Sequence, residues 1–197
     1  MRDDRWNHNT HYHPLALRHA PQACTALDVG CGEGLLVRRL RSAGVPRVTG
    51  LDVDAAQVEL ARAASVGDDG VTFVVGDALE VLDGDAFDLV TCYATLHHLP
   101  LEDGLRRLAA LTAPGGRLVV VGLAGARTPG DVALSAAAVP VAAVVDRARG
   151  VWEHGAAVTD PREGYGEVRD AARRILPGAR WRRHLYWRYS LTWQAPA

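Results

Sequence analysis

Three glycines stand at every second position, Gly30, Gly32 and Gly34, in the stretch LDVGCGEG. A glycine-rich turn after a buried strand lets the backbone approach a ligand closely, and the next helix begins there, so such a turn cradles part of a nucleotide. The dinucleotide-binding turn has the spacing G-x-G-x-x-G, whereas the spacing here is G-x-G-x-G. The pattern predicts a nucleotide site and leaves open which nucleotide it holds.

Carboxylates follow the next two apolar stretches. Asp52 ends GLD, where it can accept two hydrogen bonds from a ribose diol, in a nicotinamide enzyme as well as in others. Asp77 ends VVGD and is placed to accept a hydrogen bond from an adenine amino group; the alternative is an acid that only forms a turn. Ligands of open parallel sheets bind beyond the carboxyl ends of the strands, so these acids and the glycine turn are expected at one site.

Two adjacent histidines, His97 and His98, follow the fourth apolar stretch. A neutral imidazole there can take a proton from a hydroxyl or ammonium group. The alternative is structural, with one histidine capping the following helix and the other packing beneath it. A further histidine group, HNTHYH, has a spacing that could hold a metal, but no second ligand cluster supports it, and no metal is predicted.

The residues of the site are positioned by alternating strands and helices. Buried strands are predicted in ACTALDVG, RVTGLDV, VTFVVGDA, FDLVTCY and RLVVVGL. Helices are predicted in GEGLLVRRLRSAG, in AAQVELARAA with Asp54 as its cap and with Val58 and Leu60 facing inward, and in LEDGLRRLAALT before a turn at APGG. This alternation with continuously apolar strands predicts a parallel sheet covered on both faces.

After Gly122 the pattern changes. TPGDVALSAAAVPVAAVVDRARG predicts a helix interrupted near Pro140, and YGEVRDAARRIL predicts another helix. The aromatic-rich end ARWRRHLYWRYSLTWQA predicts two strands, a hairpin that closes the edge of the sheet. Alternation along the first of them divides its residues into a solvent face and a core face. The solvent face comprises Arg180, Arg182, His184 and Tyr186, and the core face Trp181, Arg183, Leu185 and Trp187.

Composition fits a single globular domain of 197 residues, with 48% hydrophobic and 23% charged residues. Three cysteines without a close pair and the polar start MRDDRWNHNTHYHP indicate a cytoplasmic protein, and the uncharged stretch 132–145 is too short to span a bilayer. All the basic residues are arginine, which indicates a GC-rich bacterial genome. Acids dominate the first half and arginines the second, which predicts either ordinary solvated faces or a basic lip over an anionic substrate.

The motifs LDVGCGEG, GLDVD, GDA, FDLVTCYATLHHLP and LTAPGGRLVVVG, in this order over about Ala26 to Leu123, resemble those of class I S-adenosylmethionine-dependent methyltransferases. The resemblance implies a Rossmann-like, doubly wound α/β domain over residues 1–197. Its seven-stranded sheet would be mostly parallel with an antiparallel C-terminal strand. It also answers which nucleotide is bound: adenosine carrying methionine, not a dinucleotide.

The resemblance further implies cofactor contacts at the ends of the first four strands. Asp28 and the turn would face the methionine part, Asp52 the ribose and Val53 the adenine. Asp77 and the backbone of Ala78 would read the adenine edge. The implied set is Asp28, Gly30, Cys31, Gly32, Asp52, Val53, Asp77, Ala78, Cys92 and Tyr93, with Cys92 and Tyr93 under the sulfonium.

The acceptor is expected beside His97 and His98. A base is not obligatory for methyl transfer, because holding the nucleophile in line with the methyl group supplies most of the acceleration. Two variable segments are expected to wall the acceptor pocket: an N-terminal cap, residues 1–23, which contains Tyr12, and an insertion, residues 123–164. A covalent role for a cysteine, as in some pyrimidine methylases, is disfavoured because the Pro-Cys dipeptide of one such group is absent.

The predicted function is a methyltransferase that uses S-adenosyl-L-methionine, leaves S-adenosyl-L-homocysteine and acts on an oxygen or nitrogen of a small molecule. Alternatives are an RNA or protein acceptor, a non-catalytic cofactor-binding scaffold and, more distantly, a nicotinamide dehydrogenase. TCYA stands where amino-group nucleic-acid methylases have N/D-P-P-Y/F/W, and no lysine-rich patch exists, so nucleic acid is not expected. Neither is a membrane, and the chain is expected to be a monomer or homodimer.

Overall fold

The computed structural model describes residues 6–149, 160–184 and 186–197. The predicted N-terminal cap and insertion are therefore described only in part, and Leu185 lies outside the described residues. One sheet of seven strands crosses the molecule in the order β3-β2-β1-β4-β5-β7-β6. The strands are β1 Thr25–Val29, β2 Arg47–Asp52, β3 Val71–Val75, β4 Phe87–Tyr93, β5 Thr112–Leu123, β6 Arg180–Arg183 and β7 Arg188–Gln194.

The direction of the strands agrees with the predicted fold class. β1 to β5 run parallel, and β7 is antiparallel to both of its neighbours, β5 and β6. The helices are α1 Pro14–Leu17, α2 Leu35–Ser42, α3 Ala55–Ala63, α4 Leu101–Ala110, α5 Pro129–Arg149 and α6 Tyr165–Ile175. Three single 3₁₀ turns lie at Thr10–Tyr12, Ala20–Gln22 and Leu96–His98.

Alternation along the strands divides the buried residues into two clusters, one on each face of the sheet. Leu27 and Val90 belong to the cluster that includes α4 and α6. Ala26 and Leu89, their chain neighbours, belong to the cluster that includes α2, α3 and the N-terminal segment. The doubly wound arrangement thus leaves the carboxyl ends of β1 to β4 open between the two helical layers.

Three local predictions need correction. Val58 is fully buried, but Leu60 is 55% exposed, because a step of two residues turns a helix by about 200° and carries Leu60 away from the sheet. β5 begins at Thr112, so APGG is not a turn before the strand but lies in its irregular start, where the register with β4 shifts. α5 continues through Pro140, and the helix-favouring alanines around it offset the missing backbone donor.

The C-terminal hairpin exists, but alternation fails at its turn. Tyr186 was predicted to face solvent, yet only 3% of it is exposed. β6 ends at Arg183, and Tyr186 and Trp187 form the turn with positive φ angles of 59° and 54°. Tyr186 packs against the N-terminal segment, stacked on His8 with ring centroids 4.4 Å apart. Within β6 the predicted faces hold, since Arg180 and Arg182 are exposed while Arg183 pairs with Asp131 at 2.5 Å.

In the described parts of the chain, none of the helices combines the length and apolarity that crossing a membrane requires.

Candidate functional site

A cavity of about 510 Å³ opens where the sheet presents the carboxyl ends of β1 to β4. Its wall includes most of the residues that the sequence motifs singled out: Asp28, Gly30, Cys31, Gly32, Asp52, Val53, Asp77, Ala78, Tyr93, His97 and His98. The remaining two, Cys92 and Tyr12, do not line it. The structure also brings in residues that the sequence analysis did not single out: Thr95, Arg188 and, from the segment 1–23 expected to wall the pocket, Asn7, Asn9, Thr10 and His13.

The glycine turn between β1 and α2 needs its glycines. Gly30, Gly32 and Gly34 have φ angles of 73°, 52° and 75°, a left-handed backbone that other residues adopt at a cost. A Cβ atom on Gly30 would lie 2.0 Å from the side-chain oxygen of Thr95. The Gly30 amide donates to the carbonyl of Leu51 at 2.7 Å, so the turn is pinned to β2. The backbone of this turn, called the glycine cradle below, therefore lines the cavity wall directly.

Asp52, at the end of β2, connects this turn to the next loop. Its Oδ2 accepts a 2.7 Å hydrogen bond from the Gly32 amide, and its Oδ1 accepts a 3.0 Å bond from the Asp54 amide. Each carboxylate oxygen has two lone pairs, so both oxygens can accept a further hydrogen bond from a diol. Val53 beside it is 73% exposed and offers an apolar surface in the cavity wall.

At the end of β3, Asp77 has both properties that the sequence left as alternatives. Its Oδ1 accepts a 2.9 Å hydrogen bond from the Leu79 amide, which is a turn-forming contact. Its Oδ2 has no protein donor within the described chain, and both Asp77 and Ala78 line the cavity. A turn-forming acid can therefore still present one free oxygen to a ligand.

Asp28 lies deepest in the wall, only 3% exposed. The Thr91 hydroxyl donates a 2.7 Å hydrogen bond to its Oδ1, which favours the ionised form. Burial acts in the opposite direction more strongly and raises the pKa of the Asp28 carboxyl to about 7. Asp28 is thus poised to ionise when a positive charge arrives beside it.

The two buried cysteines are neutral thiols. Burial raises the pKa of Cys31 far above its usual range, and it raises the pKa of Cys92 to about 12. A thiolate nucleophile is therefore disfavoured at either position. Cys92 was expected next to Tyr93 under the reacting centre, but alternation along β4 turns it to the opposite face, into the cluster with α4 and α6.

Tyr93 points into the cavity and ties down the N-terminal segment. Its hydroxyl donates a 3.0 Å hydrogen bond to the backbone carbonyl of Tyr12. The Tyr12 ring itself lines a second cavity of about 460 Å³, together with Leu134 of α5 and Arg182 of β6. Tyr12 therefore contributes its backbone, not its side chain, near the first cavity, because the 3₁₀ turn directs the ring toward α5.

His97 and His98 occupy the 3₁₀ turn after β4, with ring centroids 4.1 Å apart. Neither caps α4, whose N-cap is Pro100 without a side-chain hydrogen bond. The buried Nδ1 atom of His97 has no hydrogen-bond partner in the described chain. Burial, with the charges of His98 and Arg188, lowers the pKa of His97 to about 4. His97 is thus a neutral imidazole whose buried Nδ1 has no hydrogen-bond partner in the described chain.

Arg188, the first residue of β7, closes the far side of the cavity. Its Nε donates to the Asn9 side-chain oxygen at 2.9 Å, and its Nη1 donates to the Tyr186 carbonyl at 3.0 Å. No sequence pattern distinguishes Arg188 as a cavity residue, because it is one of six arginines within residues 173–188. Asn9 escaped notice likewise, since only the chain topology brings the N-terminal segment to β7.

The HNTHYH histidines do not converge on a metal. His13 is buried and its Nδ1 contacts the Arg39 guanidinium at 3.0 Å, while burial and that charge lower the pKa of His13 to about 3. His8 stacks on Tyr186. Across residues 6–149, 160–184 and 186–197, no group of three or more histidine, cysteine or acidic side chains has the arrangement of a metal site.

Comparisons with known proteins agree with this geometry. A family model described as a methyltransferase domain matches residues 27–120. An uncharacterized methyltransferase of Mycobacterium tuberculosis is 36% identical over 98% of this chain and 99% of its own length. The 27-O-demethylrifamycin SV methyltransferase of Amycolatopsis mediterranei is 35% identical over 74% of this chain and 52% of its own length.

A solved structure shows the same fold. The N-methyltransferase NodS of Bradyrhizobium japonicum, in complex with S-adenosyl-L-homocysteine, superposes with a TM-score of 0.65 over 100% of this chain and 94% of its own, at 18% identity.

A sheet ordered 3-2-1-4-5-7-6 with an antiparallel seventh strand, and a glycine cradle followed by acids at successive strand ends, define a Rossmann-like methyltransferase fold. The chain belongs to the class I S-adenosylmethionine-dependent methyltransferase family.

Proposed function

We propose that the protein binds S-adenosyl-L-methionine and transfers its methyl group to an oxygen or nitrogen atom of a small-molecule acceptor. The observation that carries the proposal is the common cavity: the glycine cradle and the acids Asp28, Asp52 and Asp77 share a wall with His97. The glycine cradle and the three acids fit a nucleoside with an amino-acid tail, and His97 fits a nucleophile that carries a proton.

The donor set fits the cofactor part by part. Asp28 suits the ammonium of the methionine tail, because a buried carboxyl with a pKa near 7 gains most from a neighbouring cation. Asp52 suits the ribose diol with its remaining lone pairs. The free Oδ2 of Asp77 and the apolar surface of Val53 suit the adenine amino group and ring.

The bound cofactor supplies an electrophilic methyl group on a sulfonium sulfur. The cavity walls position the acceptor atom in line with that methyl and exclude water. Held by Asp28, Asp52 and Asp77, the cofactor would supply a methyl group whose carbon–sulfur electron pair stays on sulfur, and the acceptor would lose a proton to the residues around it.

His97 is the residue proposed to receive that proton, at Nε2, because its Nδ1 is buried out of reach of a ligand. With a pKa near 4 it is unprotonated at neutral pH, so it is always ready to accept a hydrogen bond from the nucleophile. The same low pKa makes it a weak base, so its main effect is to orient the acceptor and to pass the proton on to solvent.

A small-molecule acceptor is favoured by the size of the cavity and by its closure. About 510 Å³ has to hold both ligands, and Asn9 and Arg188 bridge its far side. Relatives include an enzyme named for a rifamycin acceptor. We further propose that residues 1–23 and 123–164 form the walls of the acceptor pocket, that the protein is cytoplasmic, and that it is a monomer or homodimer.

The test uses S-adenosylmethionine with a tritiated methyl group, incubated with the protein and a deproteinised, nucleic-acid-free bacterial extract. Label should appear in acid-soluble product and not in matched incubations with an acid-precipitable protein or RNA fraction. The Asp52→Ala variant serves as the control for background transfer. Label only in precipitable material would assign an RNA or protein acceptor, and tight S-adenosylhomocysteine binding without any transfer would favour a non-catalytic scaffold.

A further inference from the structure

Arg188 is a guanidinium in the cavity wall without a carboxylate partner. Its two hydrogen bonds go to neutral oxygens, one on the Asn9 side chain and one on the Tyr186 backbone. No ion pair joins it to an acid anywhere in the described chain, whereas Arg183 nearby is paired with Asp131 at 2.5 Å. A partly buried cation costs free energy to hold, and here no acid of the described chain offsets that cost.

The guanidinium is partly buried in the cavity wall. Burial lowers the pKa of Arg188 to about 10, which still leaves the guanidinium charged at neutral pH. The contacts use Nε and one N–H of Nη1, so Nη2 and the second N–H of Nη1 have no acceptor in the described chain. These are the donors at the end of the guanidinium fork, which can pair with two oxygens of one anion.

The position of Arg188 separates it from the amino-acid tail of the cofactor. Arg188 begins β7, which lies three strands from β1, whose Asp28 faces the methionine end in the proposed function. Neighbouring strands are about 4.8 Å apart, so the two residues lie roughly 14 Å apart across the sheet. On the other hand, Arg188 is close enough to His97 for its charge to lower the pKa of that imidazole.

We propose that Arg188 binds an anionic oxygen group of the methyl acceptor, so that the acceptor is a small organic acid or phosphate ester whose nucleophile lies toward His97. The inference rests on the proposed function, since it takes the space between Arg188 and His97 as the acceptor site. Asn9 acts as a positioning residue, because its side-chain oxygen fixes the guanidinium through Nε.

The experiment measures binding, not turnover. The protein is saturated with S-adenosylhomocysteine and titrated with acetate, benzoate and inorganic phosphate, and with acetamide and benzamide as neutral counterparts. Affinity is followed by calorimetry, and the ring resonances of His97 are followed by NMR. We expect the anions to bind at least ~10-fold more tightly than the amides, and to raise the pKa of His97 as they neutralise Arg188.

Variants assign the effect to one side chain. Arg188→Gln should abolish the preference for anions and the shift at His97, while Arg188→Lys should keep part of the preference. Arg117→Gln is the matched control, because Arg117 is an exposed arginine in the middle of β5 and outside the cavity. Arg117 pairs with Gln194, at the other end of β7 from Arg188, and its variant should bind anions and amides as the parent does. Should Arg188→Gln unfold, a reduced but remaining preference in Arg188→Lys together with a weakened preference in Asn9→Ala supports the assignment, whereas a preference equal to that of the parent in Asn9→Ala contradicts it.

Two results overturn the proposal. Equal binding of acids and amides by the parent, or no binding of either, removes Arg188 as an anion site. A second arm compares S-adenosylhomocysteine with 5′-methylthioadenosine, which lacks the amino-acid tail. If Arg188→Gln weakens binding of S-adenosylhomocysteine but not of 5′-methylthioadenosine, Arg188 holds the cofactor's own carboxylate. Failure of the parent to bind S-adenosylhomocysteine at all would instead refute the proposed function.

Discussion

The amide of Gly32 donates a 2.7 Å hydrogen bond to Oδ2 of Asp52, so the turn after β1 and the acid at the end of β2 form one structural unit. The acid predicted to hold a ribose also holds the glycine cradle in shape. A change at Asp52 therefore weakens ligand binding in two ways, by removing a direct contact and by releasing the glycine turn.

Asp52→Ala should weaken S-adenosylhomocysteine binding at least tenfold. Each hydrogen bond to a charged group contributes about 1.5–3 kcal/mol, and the variant also releases the Gly32 amide. Titration calorimetry provides the measurement. Asp68→Asn, which removes an exposed ion pair with Arg41, is the control and should bind as the parent does. Unchanged affinity in Asp52→Ala would exclude Asp52 from the site.

The affinity for S-adenosylhomocysteine should rise with pH around neutrality. Below about pH 7 the Asp28 carboxyl keeps its proton, and that proton must be lost before the carboxylate can pair with the ligand's ammonium. Affinity should increase by up to ~10-fold per pH unit below pH 7 and level off above it. Asp28→Asn should bind weakly with no such slope. A parallel slope in parent and variant would show that another group titrates.

The same carboxyl should make the protein less stable as the pH rises. Its folded-state pKa lies above the unfolded value near 4, so the folded state binds more protons, and the free energy of unfolding falls between about pH 4 and pH 7. Asp28→Asn keeps the acceptor for Thr91 but not the charge. It should exceed the parent in stability at pH 8, by of the order of 1–4 kcal/mol, and match it near pH 4 in urea unfolding.

His97→Gln should lower turnover by about 10²–10⁴ while leaving cofactor affinity intact, because the imidazole of His97 is the proposed proton acceptor. His98→Gln is the matched neighbour and should lose far less. The parent's rate should not fall between pH 7 and pH 5.5 through protonation of His97, whose pKa is near 4. A larger loss in His98→Gln than in His97→Gln would exchange the two roles.

Gly30→Ala should abolish cofactor binding and destabilise the fold. A Cβ there meets the Thr95 hydroxyl at 2.0 Å, in addition to the strain of a φ of 73°. Gly115→Ala is the control, because Gly115 has a φ of 74° with nothing within 4 Å of its Cβ position. The control carries only the backbone cost of about 1 kcal/mol. Equal thermal shifts in both variants would mean that Thr95 moves aside without cost.

The sequence could predict which acids share the cavity wall because each of them lies at or just beyond the carboxyl end of a strand. Asp28 is the next-to-last residue of β1, Asp52 is the last residue of β2, and Asp77 comes two residues after β3. Parallel strands bring these ends together. The predicted place of Cys92 beside Tyr93 was wrong. Both residues lie at the end of β4, but successive side chains of a strand point to opposite faces, so Cys92 lies in the opposite core cluster.

The acceptor half could not be read in this way. Asn9 and Arg188 meet through a hydrogen bond between positions 179 residues apart, and nothing local in either segment encodes that contact. Tyr186 was misjudged because alternation was extended past the end of β6 into a left-handed turn. Such a turn of two bulky residues is held by packing against His8, which is a tertiary effect.

The strand order has a consequence for biosynthesis. β7 is made after β6, yet it lies between β5 and β6, so the edge of β5 stays unpaired until β7 has left the ribosome. The glycine turn and Asp52 lie in the first third of the chain and can assemble while synthesis continues. The bridge from Arg188 to Asn9 closes only afterwards, so a nascent chain acquires the part of the cavity around the glycine turn before the part that Asn9 and Arg188 line.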